Sequence, residues 1–279
     1  MLTAYFTQSQ SVRGGGDQET KVILGPGIWK INGTVRLTLR DQLYLDYGAK
    51  LVRTNCRSSD PMIHLDGRFS SIVGSAMNTI ESQCSDLIDG MIRIGQGNST
   101  DSRNIISCRV EHVTITGSNQ SYPDNRTTGI YIYNNQNERN GGAKSTSYFH
   151  TIADVDFSFL DKGLHVYNSN GCTIDRILLN RVGTDGGQGI LLEGAQETKI
   201  SNVHHHFSPG AESLTFRSSD RSYLPAYNTI FNYVIETGKV TPPRNPSIDF
   251  NYGYCVHFDV ASDEFIDNEI NIICNTEVI

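Results

Sequence analysis

A five-residue run that recurs along the chain constrains its fold more than any other sequence feature. In the central copies a glycine or a serine precedes apolar residues that alternate with variable ones. Alternation with a period of two is the signature of a β-strand that buries one face. Four copies lie in the middle of the chain, at residues 129–133, 163–167, 189–193 and 213–217. The pattern therefore predicts short strands that stack on one another.

Further copies at residues 62–66, 91–95 and 255–259 extend the repeat in both directions. A second set of strands follows the same rhythm and starts at Val110, Ile152, Ile174, Ile200 and Ile230, with a sixth expected at Ile266. The spacing between copies varies, which stacked coils tolerate because insertions fall in the turns. We predict a bend at the third residue of each strand in the second set. Stacked Asn side chains are expected to bond the backbone groups at this bend. One all-β solenoid is the expected architecture.

The beginning of the chain carries a family resemblance. Residues 22–31, VILGPGIWKI, combine an apolar strand, a Gly-Pro-Gly turn and an aromatic residue, and residues 43–51, LYLDYGAKL, follow. Together they resemble the first coil of pectate-lyase-like right-handed β-helices, a group that includes phage tailspikes and polysaccharide-cleaving enzymes. We therefore predict a single right-handed parallel β-helix of about eight coils over residues 21–279. Residues 1–20 are expected to form a lead-in or attachment arm.

Composition narrows the functional classes. The formal net charge is −7 and the basic residues are scattered, so an electrostatic nucleic-acid footprint is not expected. No run approaches 18 apolar residues, and the first residues lack the apolar segment of a signal peptide, so neither membrane insertion nor a secretory leader is expected. The six cysteines lie far apart with no metal-ligand spacing, and we expect free, mostly buried thiols from a reducing cytoplasm.

Alternation also assigns the outward face of the recurring run, which forms two columns. The first contains His64, Arg93, Tyr131, His165, Leu191, Thr215 and His257. The second contains Asp66, Gly95, Tyr133, Tyr167, Glu193, Arg217 and Asp259. Any function of this face is expected to lie in these columns.

Carboxylates and histidines in the two columns form the candidate catalytic set. Glu193 and Asp259 lie two coils apart, so strand spacing separates their backbones by about 9.6 Å. Inverting glycosidases hold two carboxyl groups about 6.5–9.5 Å apart, which makes the pair geometrically admissible. His165 and His257 flank the pair and are the candidates for proton transfer.

Tyrosines and one arginine form the candidate glycan-binding set. Tyr131, Tyr133 and Tyr167 offer flat amphipathic rings to sugars, and Arg217 adds hydrogen-bond donors. A structural interpretation remains open, because Glu193 beside Arg217 on neighbouring coils is also an ordinary surface ion pair. Outward tyrosines on a solenoid can equally contact a neighbouring subunit.

Neither a metal site nor a cofactor is expected. The run 204–206 consists of three histidines, but alternation sends His205 inward, so only His204 and His206 share a face and no third ligand accompanies them. Asp154 and Asp156 resemble a carboxylate pair, but the first lies at the predicted bend, so a structural role is favoured. The chain contains no nucleotide-binding or nucleophile-elbow motif.

The expected function is that of a phage virion-surface protein, similar to tailspikes, which binds host-surface polysaccharide, with cleavage of that glycan left open. It would be assembled in the host cytoplasm and contact other virion proteins. The resemblance to tailspikes implies a homotrimer, for which the outward apolar candidates are Leu178, Leu191, Phe231 and Val234. Two alternatives remain: a purely structural decoration or tail protein without a ligand, and a secreted, stand-alone polysaccharide hydrolase or lyase.

Overall fold

The structure is a computed structural model that describes residues 19–95, 105–118, 126–134, 147–183, 187–206, 211–219, 225–237, 255–260 and 267–276. These residues form 22 β-strands and no helix, so no helix within the described ranges is long and apolar enough to cross a membrane. Almost all of the expected lead-in arm, residues 1–20, lies outside the described residues.

The strands are short and follow one another in a regular order. In chain order they are β1 Lys21–Leu24, β2 Gly27–Ile31, β3 Val35–Leu37, β4 Gln42–Leu45, β5 Ala49–Arg53, β6 Ile63–Leu65, β7 Ser71–Gly74, β8 Thr79–Ser82, β9 Ile92–Ile94, β10 Ile105–Ile106, β11 Arg109–Thr116, β12 Thr128–Tyr133, β13 Ser147–Tyr148, β14 Thr151–Leu160, β15 Lys162–Tyr167, β16 Thr173–Val182, β17 Gln188–Glu193, β18 Lys199–His206, β19 Glu212–Arg217, β20 Thr229–Thr237, β21 Val256–Asp259 and β22 Glu269–Thr276.

Two long parallel sheets run the length of the molecule. The nine-stranded path is β1-β4-β7-β11-β14-β16-β18-β20-β22, and β2, β5 and β8 join it at the side. The eight-stranded sheet has the order β3-β6-β9-β12-β15-β17-β19-β21. Neighbours in each sheet belong to successive turns of the chain, so the protein is a parallel β-helix of about eight coils. This confirms the fold predicted from the repeat.

Inward side chains stack in register to form the core. One column of the eight-stranded sheet runs through Val35, Ile63, Ile92, Ile130, Leu164, Ile190, Leu214 and Val256. Of these only Val256 retains partial exposure. Burying one such side chain contributes about 1.5–3 kcal/mol, so the stacked columns supply the main driving force for folding. The predicted inward faces are confirmed as far as β19, whereas Phe258 on β21, also predicted to point inward, is 47% exposed although its ring stacks on that of Phe216.

The glycine that opens several copies of the run lies where the backbone of the next coil approaches closely. A Cβ built on Gly189 would lie 2.5 Å from the carbonyl oxygen of Ser213 and 2.8 Å from the His205 ring. We expect Gly189→Ala to lower the free energy of unfolding by about 1–3 kcal/mol, because the neighbouring backbone must move. Urea denaturation measures this change, and Gly25→Ala is the matched control, since its Cβ would meet no atom within 4 Å. Equal effects of the two changes would contradict the explanation.

The predicted bend in the second set of strands is present, with a different bonding pattern. At the predicted bend position, one residue in each of five successive strands of the sheet adopts a left-handed conformation, with φ between 53° and 56°: His112, Asp154, Arg176, Asn202 and Asn232. The stacked Asn side chains bond other side chains here, because Asn232 Nδ2 donates to Asn202 Oδ1 at 2.7 Å and Asn202 donates to Asp175 at 2.8 Å.

The position predicted for the sixth strand of this set was wrong. Strand β22 begins at Glu269. The residue that pairs with Ile230 is Ile270, four residues after Ile266, which the repeat had placed there. A register irregularity separates the pairs at Ile230 and Tyr233. Asn268, predicted as the third residue of this strand, instead lies before β22, where its Oδ1 accepts a hydrogen bond from the Asn228 backbone N–H at 3.0 Å.

The cysteines differ from expectation. Cys56 and Cys84 form a disulfide across 28 residues of sequence, and Cys255 is also disulfide-bonded. Among the residues that the structure describes, Cys108 and Cys172 are free thiols, and both are buried. Burial raises the thiol pKa of Cys108 to about 12 and that of Cys172 to about 11, so both remain protonated and unreactive at neutral pH. The prediction of free thiols throughout was therefore wrong.

Candidate functional site

The structure brings most of the predicted site residues into one continuous array on the outer side of the eight-stranded sheet. We call this array the outer ladder, and it consists of Arg93, Tyr131, Tyr133, His165, Tyr167, Glu193, Arg217 and Asp259. Its members lie on β9, β12, β15, β17, β19 and β21, which are successive neighbours in the sheet. Strand pairing places Tyr167 beside Glu193, Glu193 beside Arg217 and Arg217 beside Asp259, as alternation predicted.

The tyrosine rings stack on neighbouring side chains. Tyr133 and Tyr167 have ring centroids 5.4 Å apart and planes inclined by 15°. Tyr131 stacks on His165 with centroids 4.6 Å apart. The Arg93 guanidinium lies 4.7 Å from the centroid of Tyr133. Because β12 lies between β9 and β15, Tyr133 is contacted from both sides, and the expected flat platform for a sugar ring is not available there.

A histidine and a glutamate form the most enclosed polar pair of the ladder. His165 Nε2 lies 2.9 Å from Glu193 Oε2, and the two side chains are 13% and 18% exposed. A carboxylate only accepts hydrogen bonds, so Nε2–H donates to it. Burial lowers the pKa of His165, and the hydrogen bond to Glu193 opposes this shift only in part. His165 is therefore neutral near pH 7, with its other ring nitrogen able to accept a proton.

The second predicted carboxylate, Asp259, has a different partner. Arg217 Nε donates to Asp259 Oδ2 at 2.8 Å, so the arginine pairs with Asp259 and the predicted Glu193–Arg217 ion pair is replaced. Asp259 and Arg217 are 53% and 34% exposed, so the ladder opens to solvent at its C-terminal end. Glu193 and Asp259 remain two strands apart, with β19 between them.

His257 is paired with a glutamate that pattern reading missed. Glu212 lies 2.7 Å from His257 Nδ1 and also accepts hydrogen bonds from Thr215 at 2.9 Å and Gln188 at 3.2 Å. Burial opposes ionisation of Glu212, but these hydrogen bonds outweigh it and lower its pKa. Glu212 and Gln188 each lie one residue before a copy of the recurring run, so neither belongs to the two outward columns.

Several residues of the first outward column are covered. His64, Leu191 and Thr215 are 3%, 1% and 0% exposed. His64 Nε2 is within 2.6 Å of the Gly95 carbonyl oxygen, and burial lowers the pKa of its ring. The expectation that Leu191 is an apolar contact for another subunit is therefore wrong. A side chain that points outward from the sheet is still buried where other segments of the same chain cover that sheet.

The three consecutive histidines divide between the two faces as predicted. His205 points into the core, where Nε2–H donates to the Val182 carbonyl oxygen at 3.1 Å. His204 and His206 lie outside, 3.2 Å and 3.6 Å from Glu236 Oε2. No group of three or more His, Cys, Asp or Glu suited to holding a metal ion occurs in the part of the chain that the structure describes.

The ladder is chemically suited to recognising hydroxyl-rich molecules. Tyrosine hydroxyls both donate and accept, carboxylates accept, and the guanidinium of Arg217 donates. The His165–Glu193 pair adds a neutral imidazole positioned by a carboxylate, the arrangement used in general acid–base catalysis. The sequence matches no protein-family model and no curated protein.

Proposed function

We propose that the protein is a surface-exposed β-helix, similar to phage tailspikes, that binds a host-surface polysaccharide along the outer ladder. The observation that carries the proposal is the unbroken register column Tyr133, Tyr167, Glu193, Arg217 and Asp259, beside which Arg93, Tyr131 and His165 lie in the neighbouring column. These residues occupy six neighbouring strands, so five strand spacings give the ladder a length of about 24 Å. A linear array of this length parallel to the helix axis suits an extended polymer.

The geometry supports binding by hydrogen bonds more than by ring stacking. The rings of Tyr131 and Tyr133 are already packed against neighbours, so the edges and hydroxyls face a ligand. Exposure rises toward Arg217 and Asp259, where the guanidinium and carboxylate remain accessible to sugar hydroxyls. We therefore place the principal contacts at Tyr167, Glu193, Arg217 and Asp259.

Cleavage of the bound glycan is the second candidate function, and the His165–Glu193 pair favours it. A neutral imidazole fixed by a carboxylate at 2.9 Å can take a proton during hydrolysis or elimination. The same pairing also supports the structural alternative, because every charge of the pair is satisfied within the chain. Binding and product assays separate these possibilities.

The disulfides support a location outside the cytosol. Disulfides persist in oxidising surroundings and are rare in reducing ones, so Cys56–Cys84 fits a particle surface or a secretion better than the host cytoplasm. We keep the homotrimer, together with contacts to other virion proteins, as part of the proposal. Leu178 and Phe231, which are 37% and 59% exposed on the nine-stranded sheet, are the apolar candidates for the trimer contact.

A panel of capsular polysaccharides and lipopolysaccharides first identifies the glycan that binds most tightly. Loss of the Arg217 guanidinium is expected to weaken binding to that glycan by about tenfold. The physical reason is that a charged hydrogen bond contributes about 1.5–3 kcal/mol. Affinity electrophoresis of Arg217→Gln and Glu193→Gln measures this effect. Glu236→Gln, on the other sheet, is the matched control and should bind like the wild type.

Assay of new reducing ends and of unsaturated products in the same samples tests cleavage. Binding without either product supports the binding function alone. Product formation that disappears in Glu193→Gln supports catalysis by the His165–Glu193 pair. If no polysaccharide binds, or if both ladder variants bind like the control, the ladder is structural and the proposal fails.

A further inference from the structure

A groove of about 360 Å³ lies on the outer side of the nine-stranded sheet, on a different sheet from the outer ladder. It forms where the turn between β7 and β8 stands beside β11 and β14. Its lining contains mostly small and polar residues together with a histidine and two carboxylates: Gly74, Ser75, Ala76, Met77, Asn78, His112, Val113, Thr114, Asp154 and Asp156. We call it the bend groove.

The bend groove exists because the winding of the chain changes at this level. In the third coil, β7 and β8 are separate strands joined by a turn, whereas β11 runs through the same position with a single left-handed residue, His112. Gly74 makes the change possible. A Cβ on Gly74 would lie 2.2 Å from both Asn78 Nδ2 and the His112 carbonyl oxygen, so only glycine lets the Asn78 amide bridge the two coils.

Two buried polar atoms of the groove lack partners. Asn78 Nδ2 donates to the carbonyl oxygens of Ser75 and of His112, the latter at 2.7 Å, which fixes the orientation of the amide. Its Oδ1 and the Ser75 Oγ are buried and have no hydrogen-bond partner among the described residues. Asn78 as a whole is only 2% exposed. A buried acceptor without a partner costs about 1–3 kcal/mol, so a ligand donor that reached these atoms would recover that cost.

The two carboxylates of the groove differ in their pairing. Arg176 donates to both oxygens of Asp154, at 2.5 Å and 2.7 Å, and His112 Nδ1 lies 3.4 Å from the same carboxylate. Asp156 makes no ion pair or hydrogen bond within the described ranges. Burial, followed by the nearby Asp154 charge, raises the pKa of Asp156, whereas the hydrogen bonds from Arg176 lower that of Asp154. The groove thus offers one unpaired carboxylate beside two unpaired neutral acceptors.

We propose that the bend groove binds an amino sugar, whose primary ammonium group pairs with Asp156 and whose remaining polar groups bond Asn78 Oδ1 and Ser75 Oγ. An ammonium carries three donors and one positive charge, which matches one carboxylate and neutral acceptors. A calcium ion would need six to eight oxygen ligands with several carboxylates, and Asp154 is already held by Arg176. A volume of about 360 Å³ falls in the range of small-molecule sites. This site is separate from the outer ladder and does not depend on the function proposed there.

Titration calorimetry of the full chain with glucosamine and with glucose at about pH 7 tests the proposal. The two sugars differ by an ammonium in place of a hydroxyl, and we expect glucosamine to bind at least about tenfold more tightly. Asp156→Asn should weaken glucosamine binding by about tenfold. Glu269→Gln removes an equal charge from an exposed position on β22 and should leave the affinity unchanged.

Ser75→Ala provides a second variant that keeps the fold intact. Because Ser75 Oγ has no partner in the described structure, its removal should leave the thermal midpoint unchanged or higher while weakening glucosamine binding by about threefold. The proposal is overturned if glucosamine does not bind, if glucose binds equally well, or if Asp156→Asn binds like Glu269→Gln. Ladder variants such as Arg217→Gln should bind glucosamine normally, so failure of one site is distinguishable from failure of the other.

Discussion

Acidification from about pH 7.5 to about pH 5 is expected to lower the free energy of unfolding by about 4 kcal/mol. The cause is two histidines that are buried in neutral form. Burial lowers the pKa of His150 to about 3 and that of His205 to about 4. His150 Nδ1 accepts the Cys108 backbone N–H at 3.2 Å, and its Nε2 bonds Ser147 Oγ at 2.7 Å. Neither ring has a carboxylate among these hydrogen-bond partners to stabilise a proton.

The sign of this effect follows from proton linkage. Both folded-state pKa values lie below the unfolded value of about 6.5, so the unfolded chain takes up protons first as the pH falls. The contribution of the two neutral histidines to the free energy of unfolding is fully present above about pH 6.5. It is lost between that pH and the folded-state pKa values of about 3 and 4. Each histidine contributes about 1.4 kcal/mol per pH unit, and 1.5 units for two groups give about 4 kcal/mol. Urea denaturation at a series of pH values measures the slope.

The histidines next to His205 in sequence provide the matched control. His204 and His206 lie on the outside beside Glu236, so His204→Gln should leave the pH slope unchanged. His205→Gln should reduce the slope by about half, whatever its effect on stability at pH 7.5. A pH profile that is the same in both variants would show that His205 does not titrate with unfolding.

The inward half of the fold could be predicted from the sequence, because burial on a strand obeys a strict period. Ile130, Leu164 and Ile190 lie in one register column, as alternation requires. The outward half follows a weaker rule. Alternation places Leu191 and Tyr167 on the same side of the sheet, but the first is buried and the second is half-buried, since exposure depends on what covers the sheet.

The alternation of residues along the strands also could not predict which side chains pair within the candidate site. The column order Glu193, Arg217, Asp259 is correct, but order alone does not decide which carboxylate the arginine binds. Rotamers and neighbouring side chains decide it: His165 bonds Glu193, and Arg217 is left for Asp259. The bend groove was missed because Gly74 and Asn78 reveal their role only when β7 is placed beside β11.

Reduction of the Cys56–Cys84 disulfide is expected to lower the free energy of unfolding by about 3.5 kcal/mol. The bond closes a loop across 28 residues, and the loss of loop-closure entropy in the unfolded chain gives this magnitude. The pairing follows from the coil geometry: β5 lies beside β8 with Arg53 opposite Ser82, so the segments that follow both strands run together. Urea denaturation with and without dithiothreitol measures the loss.

The double variant Cys56→Ser/Cys84→Ser is the control for this prediction. Because it lacks this disulfide, dithiothreitol should lower its free energy of unfolding by about 3.5 kcal/mol less than that of the wild type. Cys108 and Cys172 are buried thiols in either state and should not contribute. Because each coil of a solenoid contacts only its neighbours, the loss should fall mainly on β5 and β8, where amide hydrogen exchange should accelerate, and much less on β16 and β18. An equal shift in the double variant and the wild type would place the effect of the reductant elsewhere, at the disulfide of Cys255.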